Sequence, residues 1–221
     1  MSLLQIALLG AVIGVPLGYA MQRTNLCFNS AYRETVLRRN TTLLRGIVLA
    51  ILVQMVGLAL VIQLGIGGVS LNVVPFFWLA AMLGGFVFGI SMVYAEGCSS
   101  TVWYRVGNGN MGALVTLIGF ALGEAALSFG PLRPLRETLQ GPQVTLSSGA
   151  QPTVPNALGI SPWIAIIPVV LIVGLWLSRG RPGSYLGGWD WRRAGLILGL
   201  IGTAAWIVAW PTGWHLSLIH I

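Results

Sequence analysis

At 221 residues the chain is 56% hydrophobic and only 8% charged, with a mean hydropathy of +0.84. A soluble domain carries roughly 25% charged residues, so a soluble enzyme or binding module is excluded and an all-α, polytopic membrane protein is expected, as one membrane domain over residues 1–221. The net charge of +7 rests on twelve arginines and no lysine. They flank apolar runs instead of forming a basic domain, which sets nucleic acid aside as a partner and leaves the lipid bilayer.

The first apolar run, 3–20, has no basic residue before it and no Ala-x-Ala site after it, so it reads as a retained helix and not a signal peptide. Gly14, Pro16 and Gly18 predict a kink or unwinding in its second half. A polar stretch with five arginines, 23–45, leads to the second run, 47–64. Uncharged turn signals at 65–68 and 73–75 precede the third, 76–95, where Gly84, Gly85 and Gly89 predict close approach of another helix. After a polar loop, 96–110, the fourth run, 111–130, contains Glu124. An acid there is expected to be paired, with Arg105 as a possible partner, or to act on protons or substrate.

Residues 131–160 are rich in Pro, Gly, Ser and Gln and predict an irregular external loop. The fifth run, 161–178, is expected to kink at Pro168. A Gly-rich loop with four arginines, 179–193, separates it from the sixth, 194–210. Each run is about long enough to cross ~30 Å of hydrocarbon. Trp163, Trp176, Trp189, Trp191, Trp206 and Trp210 lie near run ends and read as interface anchors.

With the N-terminus outside, Arg23, Arg33, Arg38, Arg39, Arg45, Arg105, Arg179, Arg181, Arg192 and Arg193 fall on the cytoplasmic side, and Arg133 and Arg136 outside. That bias predicts about six transmembrane helices with both termini extracytoplasmic. The closing string Leu-Ser-Leu-Ile-His-Ile resembles a translated sequencing adapter, so 215–221 is expected to be artefactual after a truncation. His215 and His220 carry no functional weight.

Two stretches carry the candidate chemistry. Met21-Gln-Arg-Thr-Asn-Leu-Cys-Phe-Asn-Ser-Ala-Tyr-Arg-Glu34 and Tyr94-Ala-Glu-Gly-Cys-Ser-Ser-Thr-Val-Trp-Tyr-Arg-Val-Gly-Asn-Gly-Asn110 each put a cysteine at the end of an apolar run. Cys27 has Arg23, Asn25, Asn29 and Arg33 close by; Cys98 has Glu96, Gly97, Ser99, Ser100 and Arg105. Gly97 is expected to supply backbone freedom, and Ser99, Ser100 or Thr101 to cap a short broken or re-entrant helix running toward Arg105. Such a helix start favours an anion and puts a soft sulfur beside it. With no Cys-x-x-Cys pair, the two thiols are expected to be unbridged. Competing readings are a membrane thiol-redox protein cycling a Cys27–Cys98 disulfide, and a structural subunit in which the cysteines are incidental.

Both stretches resemble the two N-terminal signatures of the YeeE/YedE sulfur-transport family, a likeness covering roughly 1–210 in order, spacing and span layout. The resemblance implies a multi-pass bacterial inner-membrane transporter, not an enzyme, built from two inverted halves and needing no cofactor. It implies a small sulfur-containing anion, thiosulfate above all, or a selenium or sulfur compound as in other members. Cys27 and Cys98 would be two of the cysteines that pass the ion along by S–H···S contacts. A small soluble sulfur-carrier protein is an implied partner. Two departures stand out. Glu96 occupies a position where the family often has Gly, with a changed anion preference as the expected result. The cysteine signature of the second half is missing.

Overall fold

The computed structural model describes residues 3–65, 76–142, 161–180 and 183–209. The predicted turns at 66–68 and 73–75, the positions of Arg181 and Trp210, and the 215–221 tail with its two histidines lie outside them. The chain is an all-α polytopic membrane protein. Among the described residues its helices are α1 Leu3–Thr24, α2 Phe28–Arg38, α3 Thr42–Gln63, α4 Trp78–Tyr94, α5 Ser99–Gly107, α6 Met111–Ser128, α7 Arg133–Gln140, α8 Pro162–Ser178 and α9 Trp191–Ala209.

Each predicted apolar run contains one of these helices. Among the described residues four segments are long and apolar enough to cross a membrane: Thr42–Gln63, Trp78–Gly107, Met111–Ser128 and Trp191–Val208, with Trp163–Ser178 a shorter apolar helix. The 30-residue segment Trp78–Gly107 is not one uninterrupted helix, because the chain turns between α4 and α5. The predicted unwinding of the first run does not occur; α1 continues through Pro16 to Thr24. The region expected as an irregular loop, 131–160, opens with α7, and 143–160 lie outside the described residues. Pro134 lies in its first turn, where the missing N–H is harmless, and Arg133 Nε donates to Glu137 Oε1 at 2.7 Å.

The chain divides into two compact units, Met1–Leu71 with Val170–Ile221, and Asn72–Val169. In the first, α9 packs along α3, with α1 on α9 and α2 on α3. Glycines make this contact. A Cβ at Gly57 would fall 2.5 Å from Thr203 Oγ1, one at Gly195 2.7 Å from the Gly46 carbonyl, and one at Gly199 2.6 Å from Val53 Cβ. Close backbone approach is what small residues give membrane helices. The sequence pointed instead to Gly84, Gly85 and Gly89, where added Cβ atoms would meet nothing within 4 Å among the described residues.

Leu26, Ala31, Leu43, Ile47 and Ala194 form one buried cluster of this unit, and Leu52, Leu177 and Trp191 another. Trp191 is thus core, 4% exposed, and not the interface anchor its position suggested. In the second unit α5 packs on α6, and α7 touches α6 and α4; α4 buries no residue.

Candidate functional site

Both cysteines occupy the same place in the same turn. Cys27 is the N-cap of α2, with φ −144° and ψ 131°. Cys98 is the N-cap of α5, with φ −81° and ψ 168°. Two residues earlier the chain passes through the left-handed region, at Asn25 (φ 51°) and Glu96 (φ 52°). That reversal ends the long helix, and one further residue delivers the thiol to the start of the short one. The carbonyl of Cys27 accepts from Ala31 N at 2.8 Å, and that of Cys98 from Val102 N at 3.2 Å. Each cysteine is 4% exposed, and both are thiols, not a disulfide.

The likeness extends past the short helices. After α2, Arg39 is left-handed (φ 53°) and Asn40 Oδ1 accepts from Thr42 N at 3.0 Å. After α5, Gly109 is left-handed (φ 82°) and Asn110 Oδ1 accepts from Ala113 N at 3.0 Å, capping α6. Helix, reversal, cysteine, short helix, reversal, asparagine and helix therefore occur twice, as α1–α2–α3 and as α4–α5–α6.

The first turn is buttressed from outside. Leu26 sits in the core at 5% exposure. The buried Thr24 hydroxyl donates to Met21 O at 3.3 Å and accepts from Leu26 N at 3.4 Å. Trp189 N donates to Arg23 O at 3.1 Å, while the Trp189 ring meets Tyr19 edge-on at 5.9 Å. The Arg23 guanidinium lies 5.5 Å over the Tyr19 ring. Asn25 and Asn29 are half-buried; Arg33 is exposed. Glu34, which the sequence did not single out, is buried at 3% and pairs with Arg38 at 3.3 Å, the i,i+4 spacing being its only trace in the sequence.

The second turn is supported from within α5. Cys98 itself caps the helix, where Ser99, Ser100 or Thr101 was expected to do so, and no side-chain cap bond is made. Ser99 and Ser100 are exposed, Thr101 is buried at 1%, and its Oγ1 lies 3.2 Å from Cys98 Sγ. The left-handed residue is the exposed Glu96; Gly97, expected to supply the backbone freedom, instead supplies space. A Cβ there would stand 3.3 Å from Thr101 Cγ2. Arg105 is half-buried in the last turn of α5. Among the described residues the ion pairs are Glu34–Arg38 and Arg133–Glu137, so Arg105 joins neither Glu96 nor Glu124. Glu124 Oε1 accepts from Ser128 Oγ at 2.7 Å.

Chemically, each turn sets one thiol at a helix start. The first N–H groups of an α-helix have no partner within it, and the helix field there attracts negative charge. A soft, polarisable atom stands beside that field. No cluster of His, Cys, Asp or Glu suited to a metal occurs among the described residues.

The family model described as "Sulphur transport" matches residues 23–221. The thiosulfate transporter TsuA of Spirochaeta thermophila is 30% identical over 212 residues, covering 92% of this chain and 64% of the relative. TsuA of Escherichia coli is 27% identical over 223 residues, covering 92% and 61%. The probable transporter YedE of Escherichia coli is 27% identical over 121 residues, covering 55% and 29%. The chain thus spans less than two thirds of the length of either TsuA.

Proposed function

The chain belongs to the sulphur transport family, and from that membership we propose that it carries a small sulfur-containing anion, thiosulfate first among them, across the bacterial inner membrane. In this reading each cysteine turn supplies one station on the path, and the protein is a transporter and not an enzyme. A small soluble sulfur carrier on the receiving side belongs to the same proposal.

The observation that carries it is the repeated turn: two buried thiols, each at the N-cap of a short helix. Thiosulfate is a dianion with one soft terminal sulfur. Helix N-termini and the nearby Arg23, Arg33 and Arg105 offset its charge. A thiol contributes a weak contact that breaks as easily as it forms, and conduction needs such contacts, since an ion held tightly does not leave. The likeness to two proteins named thiosulfate transporters supports the choice of ion.

Uptake of labelled thiosulfate in cells lacking other routes tests it. We expect Cys98→Ala and Cys27→Ala each to abolish uptake at unchanged membrane levels. Undiminished uptake by both variants would falsify the thiol stations.

A further inference from the structure

Arg45, in the first turn of α3, is half-buried, and its Nε is buried without a hydrogen-bond partner among the described residues. The ion pairs there are Glu34–Arg38 and Arg133–Glu137, so no described carboxylate answers its charge. An aromatic face and a gap hold it instead. The guanidinium lies 5.0 Å over the Trp176 ring, and a Cβ on Gly180 would fall on Arg45 Nη1. Arg192 reaches the same glycine from the start of α9, donating from Nη2 to Gly180 O at 2.9 Å. Asp190, the acid nearest to Arg192 in the chain, is engaged by backbone: Oδ1 accepts from Gly183 N at 2.6 Å and Oδ2 from Arg192 N at 3.1 Å. A buried donor on a charged group costs free energy when left without an acceptor, which points to an anion.

We propose that Arg45, backed by Trp176 and joined by Arg192, binds the phosphate of an anionic phospholipid at the cytoplasmic edge of the membrane. The arginine distribution puts Arg45 and Arg192 on the cytoplasmic side, the leaflet that carries anionic lipid, and basic pockets between membrane helices on that side bind phospholipid headgroups. Trp176 closes an apolar helix, at the level where headgroups lie. One turn earlier on the same face, Ile172 is 71% exposed, and Leu171 and Leu175 beside it are exposed too. An apolar surface therefore runs from the guanidinium along α8. It would seat an acyl chain and gives nothing to a free ion.

The purified full-length protein in neutral detergent, titrated with dioleoylphosphatidylglycerol, tests this. Bound lipid is counted by native mass spectrometry, and the melting temperature is read alongside. One lipid should be retained and should raise the melting temperature; dioleoylphosphatidylcholine should be held more weakly. Arg45→Gln should weaken phosphatidylglycerol binding about tenfold or more, the loss of a charge-assisted hydrogen bond. Arg192→Gln should weaken it about fivefold, the effect of one arginine near an anionic surface. Arg39→Gln, which removes an exposed arginine elsewhere, should leave it unchanged. Should Arg45→Gln fail to fold, Arg192→Gln, whose side chain is exposed, carries the test. Undiminished binding in the Arg45 and Arg192 variants overturns the proposal, and so does an equal loss in Arg39→Gln. If inorganic phosphate or thiosulfate raises the melting temperature as much as the lipid and displaces it, the site takes a free oxyanion and the lipid is overturned.

Discussion

Before Cys27 stands Leu26, set among Leu43, Ile47 and Ala194; before Cys98 stands Gly97, where an added Cβ would stand 3.3 Å from Thr101 Cγ2. The backbone path through the two turns is otherwise alike, from the left-handed residue to the extended N-cap. One turn is held by its unit's core and by a tryptophan loop; for the other, the described contacts lie within six residues of its own thiol, from the Met92 carbonyl to Thr101. The same local geometry can therefore be reached from two kinds of support. The two thiols should differ in what disturbs them.

The largest effect should come from cutting the first turn off its core. Leu26→Ala removes a buried side chain, at a cost of about 2–5 kcal/mol. We expect a clear fall in the melting temperature of the purified protein and faster alkylation of Cys27, with Cys98 labelling unchanged. The counterpart, Gly97→Ala, adds a methyl 3.3 Å from Thr101 Cγ2. It should cost about 1–3 kcal/mol, because the buried Thr101 must give by a few tenths of an ångström. Its signature should be altered labelling of Cys98 alone. Equal effects of both changes on both thiols would dissolve the distinction between the turns.

Next come the asparagines that open the following helices. Asn110 caps α6 through Ala113 N, and Asn40 binds both the N–H and the hydroxyl of Thr42, at 3.0 and 2.7 Å. Replacing Asn110, the N-cap of α6, by Ala should cost about 1 kcal/mol, the usual worth of a cap, and replacing Asn40, which precedes the Thr41 N-cap of α3 but binds that helix's first N–H, about as much. Melting curves of Asn40→Ala and Asn110→Ala check this. If one is silent while the other costs the full amount, the two modules are not built alike after their short helices.

Much of this was legible in advance. Six apolar runs announced six of the helices, because helix length and hydrocarbon thickness are tied together. Both cysteines stood out because a thiol at the polar edge of an apolar run is conspicuous. What the sequence hid depended on partners distant in the chain. Trp191 looked like an anchor by position and became core by packing against Leu52 and Leu177. The glycines that matter, on α3 and α9, could not be told from those on α4 without knowing which helices meet. Thr101 was visible only as one of three possible caps; its contact with Cys98 depends on a rotamer and on the space at Gly97. The helix α7 was obscured by the Pro and Gly content of its neighbourhood.

The smallest effect is the most discriminating. The resemblance marked Glu96 as a departure from a usual Gly, and the first expectation was a changed preference among anions. The structure gives that position a backbone role, since φ is 52° and the side chain is exposed. A non-Gly residue in this region costs roughly 1–2 kcal/mol, and glycine returns about half of that gain as lost chain entropy. Glu96→Gly should therefore stabilise the protein by about 0.5–1 kcal/mol, seen as a small rise in melting temperature. Asn25→Gly should do almost nothing, because asparagine already tolerates this conformation. Discrimination between thiosulfate and sulfate should stay the same in both variants. If Glu96→Gly changes that discrimination severalfold without stabilising the fold, the carboxylate takes part in selecting the ion, and the two turns differ in chemistry as well as in support.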